Sequence, residues 1–154
     1  MPEYLETTVD KLTFKVARDR LYTRDGVWIL PIESPEGVNA RVGLTDYVQQ
    51  HSGDIAFANL KPIGTQLSVG DEFAEIETIK VNVSLPSPVA GAIVEVNKAL
   101  ERYPELVNQD PYDKGWLVLV KPTGWDAARA GLLGPDAYFD LMRAQVDEEL
   151  KETS

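Results

Sequence analysis

Short apolar segments, separated by glycine and proline, constrain the fold of this chain more than any other feature. The segments are KLTFKVA, YTRDGVWILPIE, SPEGVNARVGL, IAFANLKPIGTQL, VGDEFAEIETIK, VNVSLPSPVAGAIVEVN and WLVLVKP. They are rich in β-branched and aromatic residues, and turn residues such as Gly26, Gly64, Gly70 and Gly91 lie within or between them. Many short strands joined by such turns are typical of a small β-sandwich or barrel. The sequence therefore predicts a mainly β fold with helices at its periphery.

Two segments have helical features instead. In TDYVQQHSGD, Thr45 is a suitable N-cap and Gly53 a suitable C-terminal stop. Near the C-terminus, Tyr138, Leu141 and Met142 have i, i+3, i+4 spacing, which predicts a helix over about residues 135–150 that packs on the body. The segment ALERYPELVNQDPYDKG is predicted to be mainly loop with one helical turn. With 154 residues, no fixed-period repeat and no low-complexity linker, residues 1–154 are expected to form a single domain.

Charge and cysteine content exclude several classes of function. The net charge of −10 argues against nucleic acid or an anionic membrane as a partner, and it favours docking on basic protein surfaces or simply solubility. The absence of cysteine excludes disulfides, thiolate zinc sites and a cysteine nucleophile. The N-terminus lacks the apolar core of a signal peptide, and no apolar run approaches the roughly 20 residues of a membrane span. We expect a soluble, cytoplasmic protein.

The chain has few residues suited to catalysis. His51 is its one histidine, so neither a histidine metal cluster nor a Cys-His pair can form, and we expect a solvated surface histidine. The two glycine-rich nucleotide-binding motifs, G-x-x-x-x-G-K-[ST] and G-x-G-x-x-G, do not occur in the sequence. The abundant aspartate and glutamate residues are explained by a charged, solvent-exposed protein surface. We therefore predict no catalytic residues and no metal site, and the chain is better interpreted as a carrier or binding module than as an enzyme.

One lysine has an unusual position. In AEIETIKVNVSLPSPVAG, Lys80 lies in an uncharged run between Glu77 and Glu95, at the expected bend between two strands. An acyl group on its amine would convert a hydrated point charge into a neutral amide bearing a long, flexible arm. Composition alone leaves two interpretations open: an attachment site for such an arm, or an ordinary exposed turn lysine.

Five ordered segments bear on this choice: VGLTDYVQ, GDIAFANLKPIG, EIETIKV, PSPVAGAIVEVNKAL and PELVNQDPYDKGWLVLV. In their order and spacing they resemble the H protein of the glycine cleavage system, a member of the biotinyl/lipoyl carrier superfamily. The resemblance extends from about Leu21 to Pro122 and, more weakly, into the C-terminal helix. It implies a lipoyl-domain-like barrel-sandwich of short antiparallel strands.

The resemblance also implies a cofactor and a mechanism. Lys80 occupies the family's lipoylation position, so lipoate is expected to be attached covalently to Lys80. Glu77 fits the family's glutamate and would help lipoyl-attaching enzymes recognise the turn, or it is an exposed strand carboxylate. Biotin is disfavoured because Ile79 and Val81 replace the two methionines of biotin carriers. The dithiolane would supply the sulfurs that the chain lacks and, as a swinging arm, would shuttle a bound intermediate between partner enzymes.

Two departures from the family bear on the pathway. Val27 and Ser84 stand where glycine cleavage H proteins have a glutamate and an aspartate that line the cleft for the cationic, methylamine-loaded arm. Their loss puts glycine decarboxylation in doubt. The sequence-based preference is therefore a lipoate-binding protein of sulfur oxidation, serving a heterodisulfide-reductase-like complex. The alternative is an H protein that carries the aminomethyl group among glycine decarboxylase, aminomethyltransferase and dihydrolipoyl dehydrogenase. A non-lipoylated binding module is a third possibility.

Overall fold

The computed structural model describes residues 3–153, so positions 1, 2 and 154 of the expected 1–154 domain lie outside the described part. The strands in this part are β1 (Tyr4–Val9), β2 (Leu12–Ala17), β3 (Leu21–Tyr22), β4 (Val27–Ser34), β5 (Gly37–Leu44), β6 (Ile55–Leu60), β7 (Gln66–Leu67), β8 (Glu72–Thr78), β9 (Asn82–Pro86), β10 (Gly91–Val96) and β11 (Val118–Pro122). The helices are α1 (Asp46–Ser52), α2 (Leu106–Gln109), α3 (Trp125–Ala130) and α4 (Pro135–Thr153), and a 3-10 turn spans Lys98–Glu101.

The strands form three antiparallel sheets. The largest has six strands in the order β3-β4-β5-β11-β10-β7, the second has the order β6-β8-β9, and β1 and β2 form a separate hairpin. Short antiparallel strands with helices at the periphery are what the sequence and the family resemblance predict, and this fold class is confirmed. Strands β8 and β9, which flank Lys80, belong to the three-stranded sheet.

Two apolar clusters hold these layers together. The larger lies between the six-stranded and three-stranded sheets and includes Ile29, Val42, Leu44, Phe73, Ile76, Leu85, Ile93 and Leu117. The second packs α4 against β2, β4 and α1 and includes Phe14, Tyr22, Trp28, Tyr47, Tyr112, Tyr138 and Met142. In this second cluster the rings of Tyr22 and Tyr138 stack with their centroids 4.6 Å apart. Burial of apolar surface on both sides of the large sheet is the main stabilising term of such a layered fold.

The predicted helices are present, with one difference in length. Thr45 caps α1 by accepting a hydrogen bond from the backbone N–H of Val48, and α1 ends at Gly53 as expected. Helix α4 buries Tyr138 and Met142 completely, but it extends beyond the expected residue 150 to Thr153. Its charged last turns continue the helix past the apolar stripe that predicted it. Within residues 3–153, no helix is both long and apolar enough to cross a membrane.

Several elements did not follow from the sequence pattern. Strand β1 alternates between exposed and half-buried residues, and its polar composition conceals the pattern. Helix α3 has no fully buried residue and lacks a side-chain cap, so little in the sequence indicates it. The segment expected to be mainly loop contains the 3-10 turn and the four-residue α2, which agrees with that expectation.

Gly91 is a position where the neighbouring strand of the same sheet leaves no room for a side chain. It opens β10 with φ of +149°, and a Cβ built there would lie 2.1 Å from the carbonyl oxygen of Lys121. Because that oxygen belongs to the backbone of the neighbouring strand β11, it cannot move aside without disturbing the strand pair. The strand pairing therefore depends on glycine at this position.

We predict that Gly91→Ala lowers the free energy of unfolding by at least about 2 kcal/mol, because backbone strain and steric overlap add. Gly131→Ala is the matched control, since Gly131 has an ordinary φ of −89° and a Cβ there would lie 3.7 Å from the carbonyl oxygen of Ala128, an ordinary contact. This control should change stability by less than about 0.5 kcal/mol. Denaturant unfolding measures both variants, and equal effects would contradict the steric explanation.

Candidate functional site

The turn between β8 and β9 is locked by one side chain. The Thr78 hydroxyl oxygen accepts hydrogen bonds from the backbone N–H groups of Lys80 (3.2 Å) and Val81 (3.1 Å), and the hydroxyl lies 3.0 Å from the Val81 carbonyl oxygen, to which it can donate. The backbone N–H of Thr78 donates to the same carbonyl at 2.9 Å. Since a side chain with both donor and acceptor capacity satisfies the turn internally, the turn needs no support from other loops.

Lys80 stands outward on this turn. Its side chain is exposed, and it forms no salt bridge with any residue that the structure describes. Ile79 is 95% exposed and Val81 is 48% exposed, so these β-branched residues do not hold the strands together as their type would indicate. The structure therefore places Lys80 at the tip of a hairpin, as expected, and leaves its amine accessible.

The base of the hairpin is fixed in the core. Phe73, Ala74 and Ile76 on β8 are 0% exposed, and Leu85 on β9 is 2% exposed. Ala74 and Ile76 alternate with Glu75 and Glu77, which leaves these two carboxylates on the outer face. A register shift between Glu72 and Ala74 accommodates the additional buried side chain of Phe73. Lys80 is thus attached to a rigid support through two short strands.

Glu77 lies on the outer face of the three-stranded sheet. It is half-buried, pairs across the ladder with Phe57 and accepts a hydrogen bond from the side-chain amide of Asn59 at 3.0 Å. Glu75, two residues earlier, pairs with Asn59 in the same ladder. Carboxylates therefore extend along this face towards the turn that bears Lys80.

Ser84 has a partner on the same outer face. Its exposed hydroxyl donates a hydrogen bond to Glu72 at 2.7 Å, and the Lys61 ammonium lies 3.3 Å from the other oxygen of that carboxylate. These two contacts, Ser84 first, lower the pKa of Glu72. Ser84 is therefore engaged with a neighbouring carboxylate.

A cleft of about 480 Å³ opens on the other side of β9, between α1, α4 and the β3–β4 turn. It is lined by Arg24, Asp25, Gly26, Tyr47, Val48, His51, Ser52, Val83, Tyr138, Gln145, Glu148 and Glu149. Val27 and Ser84 are not among these residues, although the preceding residues, Gly26 and Val83, are. Val27 is 0% exposed and packs in the core. The structure therefore places Val27 in the core and Ser84 on the outer face of the three-stranded sheet.

Residues distant in the sequence meet in this cleft. Tyr47 donates a hydrogen bond to Glu149, and Nδ1 of His51 lies 3.2 Å from the same carboxylate. Burial, followed by the interaction with Glu149, raises the pKa of Tyr47. His51 is exposed, as expected, but its contact with α4 had no sequence signature. Among the side chains that the structure describes, no group of histidine and carboxylate residues is arranged to hold a metal ion.

Comparisons with known proteins agree on one family. The family described as Glycine cleavage H-protein matches residues 20–145. The glycine cleavage system H protein of Thermus thermophilus is 45% identical over 130 residues, which are 84% of this chain and 98% of that protein. The H protein of Bacteroides thetaiotaomicron is also 45% identical, over 76% of this chain and 89% of that protein. The crystal structure of an H protein from Mycobacterium marinum has a TM-score of 0.69 and 37% identity, and it covers 80% of this chain and 95% of its own.

The hydrogen bond between Ser84 and Glu72 on the outer face can be tested by mutation. We predict that Ser84→Ala raises the pKa of Glu72 towards its ordinary value, because the hydroxyl contributes the largest lowering. A lowered folded-state pKa stabilises the fold above the unfolded-state value, and this contribution is lost as the pH falls through the lowered value. The variant should therefore gain less stability than the original protein as the pH rises through this range.

Carboxyl chemical shifts followed by NMR against pH measure this change. Ser34→Ala is the matched control, because the Ser34 hydroxyl donates to the Gly37 carbonyl and contacts no carboxylate in the structure. An unchanged pKa of Glu72 in Ser84→Ala would show that the contact is absent in solution.

Proposed function

Because the chain belongs to the glycine cleavage H-protein family, we propose that it is the lipoyl carrier of a glycine cleavage system, with the lipoyl group attached to Lys80. Proteins of this family carry a lipoate covalently on a lysine and act as carrier subunits without catalysing the reaction themselves. We extend this role to the whole chain as one carrier domain, with α4 packed on its body.

The geometry of the β8–β9 turn is the observation that supports Lys80 as the attachment point. An exposed amine on an internally satisfied turn can enter the active site of another enzyme without unfolding any part of the core. An amide bond between the lipoate carboxyl carbon and Nζ of Lys80 fits this site, since no described residue competes for the amine in a salt bridge. When attached, lipoate supplies a redox-active dithiolane that can carry a group between partners.

The comparisons support the glycine cleavage alternative better than the sulfur-oxidation function preferred from the sequence. The H proteins of Thermus thermophilus and Bacteroides thetaiotaomicron are both named for glycine cleavage. The sulfur-oxidation preference rested on the missing carboxylates at Val27 and Ser84. In the structure, neither side chain lines the cleft, so their identity is weaker evidence against glycine cleavage than it appeared from the sequence.

The cleft beside Val83 supplies carboxylates from other elements. Asp25, on the β3–β4 turn, and Glu148, on α4, are exposed and line the cleft. Val83 is three residues beyond Lys80, roughly 10 Å along a strand, which an acylated lysine can span. A cationic aminomethyl cargo in this cleft would be stabilised by nearby carboxylates. Asp25 and Glu148 can therefore supply the negative charge for the cationic cargo that the family resemblance assigns to positions 27 and 84.

The partners follow from this function. They are the lipoyl-attaching enzymes and, in turn, glycine decarboxylase, aminomethyltransferase and dihydrolipoyl dehydrogenase, in the cytoplasm. The net charge of −10 favours docking on basic surfaces of these proteins.

We predict that Lys80 is the sole lipoylated residue. After incubation with lipoate, ATP and a lipoate ligase, intact-mass analysis should show one added lipoyl group, and tandem mass spectrometry should locate it on Lys80. Lys80→Arg should remain unmodified, and its free energy of unfolding should lie within about 0.5 kcal/mol of that of the original protein, because the Lys80 side chain is exposed. Modification that persists in Lys80→Arg would refute the assignment.

A second prediction concerns the cleft. In protein loaded with glycine-derived cargo and then separated from its partners, the double variant Asp25→Asn with Glu148→Gln should release ammonia about three to ten times faster. Ammonia release should be faster because the variant lacks the charge-assisted contacts to the cargo. The increase in rate should be modest because both carboxylates are exposed to solvent. Glu36→Gln with Glu95→Gln is the matched control, since both carboxylates are exposed and neither lines the cleft. Equal release from the two double variants would exclude the counter-charge role.

A further inference from the structure

Three apolar side chains are exposed around Lys80. Ile79 is 95% exposed, Phe57 is 61% exposed and Val81 is 48% exposed. Ile79 and Val81 flank the lysine in the turn, and Phe57 lies opposite Glu77 in the β6–β8 ladder. Single exposed apolar residues are normal, but a group of them around one reactive position is typical of an interaction site. We call Phe57, Ile79 and Val81 the tip surface.

We propose that the tip surface is the docking site for the lipoyl-attaching enzyme, with Ile79 as its main contact. This inference rests on the proposed attachment of lipoate to Lys80. The partner surface is expected to have an apolar recess for Ile79 next to the site that receives the lysine. Burial of the tip surface would then contribute to binding only while the amine is being modified.

The length of the lysine side chain favours the lipoyl-attaching enzyme as the partner, rather than the enzymes that act on the lipoylated lysine. A fully extended lysine spans roughly 6 Å from Cα to Nζ, from bonds of about 1.5 Å. An enzyme that acylates Nζ must therefore contact the residues beside Lys80. The lipoyl group more than doubles this reach, so an enzyme acting at the end of the arm can dock farther away. Ile79 is adjacent to Lys80 and is thus placed for the attaching enzyme.

Charge on the neighbouring face defines the rest of the partner surface. Glu75 and Glu77 lie on the outer face of β8, and Glu77 is held by the side-chain amide of Asn59 rather than by a cation. No salt bridge joins either carboxylate to a side chain that the structure describes. Lysine or arginine side chains beside the apolar recess would complement these carboxylates and orient the turn.

The test compares two exposed apolar residues at opposite ends of β8. Ile79→Ser removes the main contact of the tip surface, and Val69→Ser is the matched control, because Val69 is 68% exposed and precedes the start of β8. With lipoate, ATP and a lipoate ligase, kcat/KM for mass addition should fall about tenfold or more in Ile79→Ser. It should stay within about twofold in Val69→Ser. Both variants should keep the thermal midpoint of the original protein, since both residues are exposed.

A second measurement assigns the surface to one partner. Ile79→Ser that has been lipoylated to completion should support glycine decarboxylase at the rate of lipoylated original protein. Equal lipoylation rates in Ile79→Ser and Val69→Ser would overturn the proposal, as would an equal loss in lipoylation and in decarboxylase activity. If the original protein itself is not lipoylated, the proposed function fails first, so the two failures are distinguishable.

Discussion

The apolar core between the six-stranded and three-stranded sheets determines where the functional residue can be. Phe73 and Ile76 on β8 and Leu85 on β9 are buried in that core, which fixes both strands of the site hairpin. The next four residues of the chain after Glu77 make a turn that the Thr78 side chain closes through its own hydrogen bonds. The core and the turn together keep Lys80 exposed at a fixed position, which is what the proposed attachment of a lipoyl group requires.

Much of this arrangement could be predicted from the sequence, because it depends on local patterns. Alternating apolar residues indicated most strands, Thr45 and Gly53 bounded α1, and the uncharged run around Lys80 indicated an exposed bend. The direction of individual side chains could not be predicted in this way. Val27 lies in the core rather than in a cleft because the pairing of β4 with β5 sets its face, and that pairing is a tertiary feature.

The cleft is the part of the site that sequence reasoning missed. It forms because α4 packs against α1, which brings Glu149 to Tyr47 and His51 across the chain. The same packing adds Glu148 to a cleft that begins at the β3–β4 turn. No local motif signals such a meeting of distant residues. The loss of charge at two family positions therefore gave an incomplete account of the electrostatics, and the sulfur-oxidation preference that followed from it is not supported by the comparisons.

We propose that this chain carries glycine-derived cargo on Lys80. The exchange of labelled bicarbonate into the carboxyl group of glycine, in the presence of glycine decarboxylase, measures that capacity directly. Lipoylated protein should support exchange at a rate comparable to that of an established H protein, and Lys80→Arg treated in the same way should support none. If mass spectrometry shows complete lipoylation at Lys80 and exchange still does not exceed that of Lys80→Arg, the chain is a lipoyl carrier for another pathway.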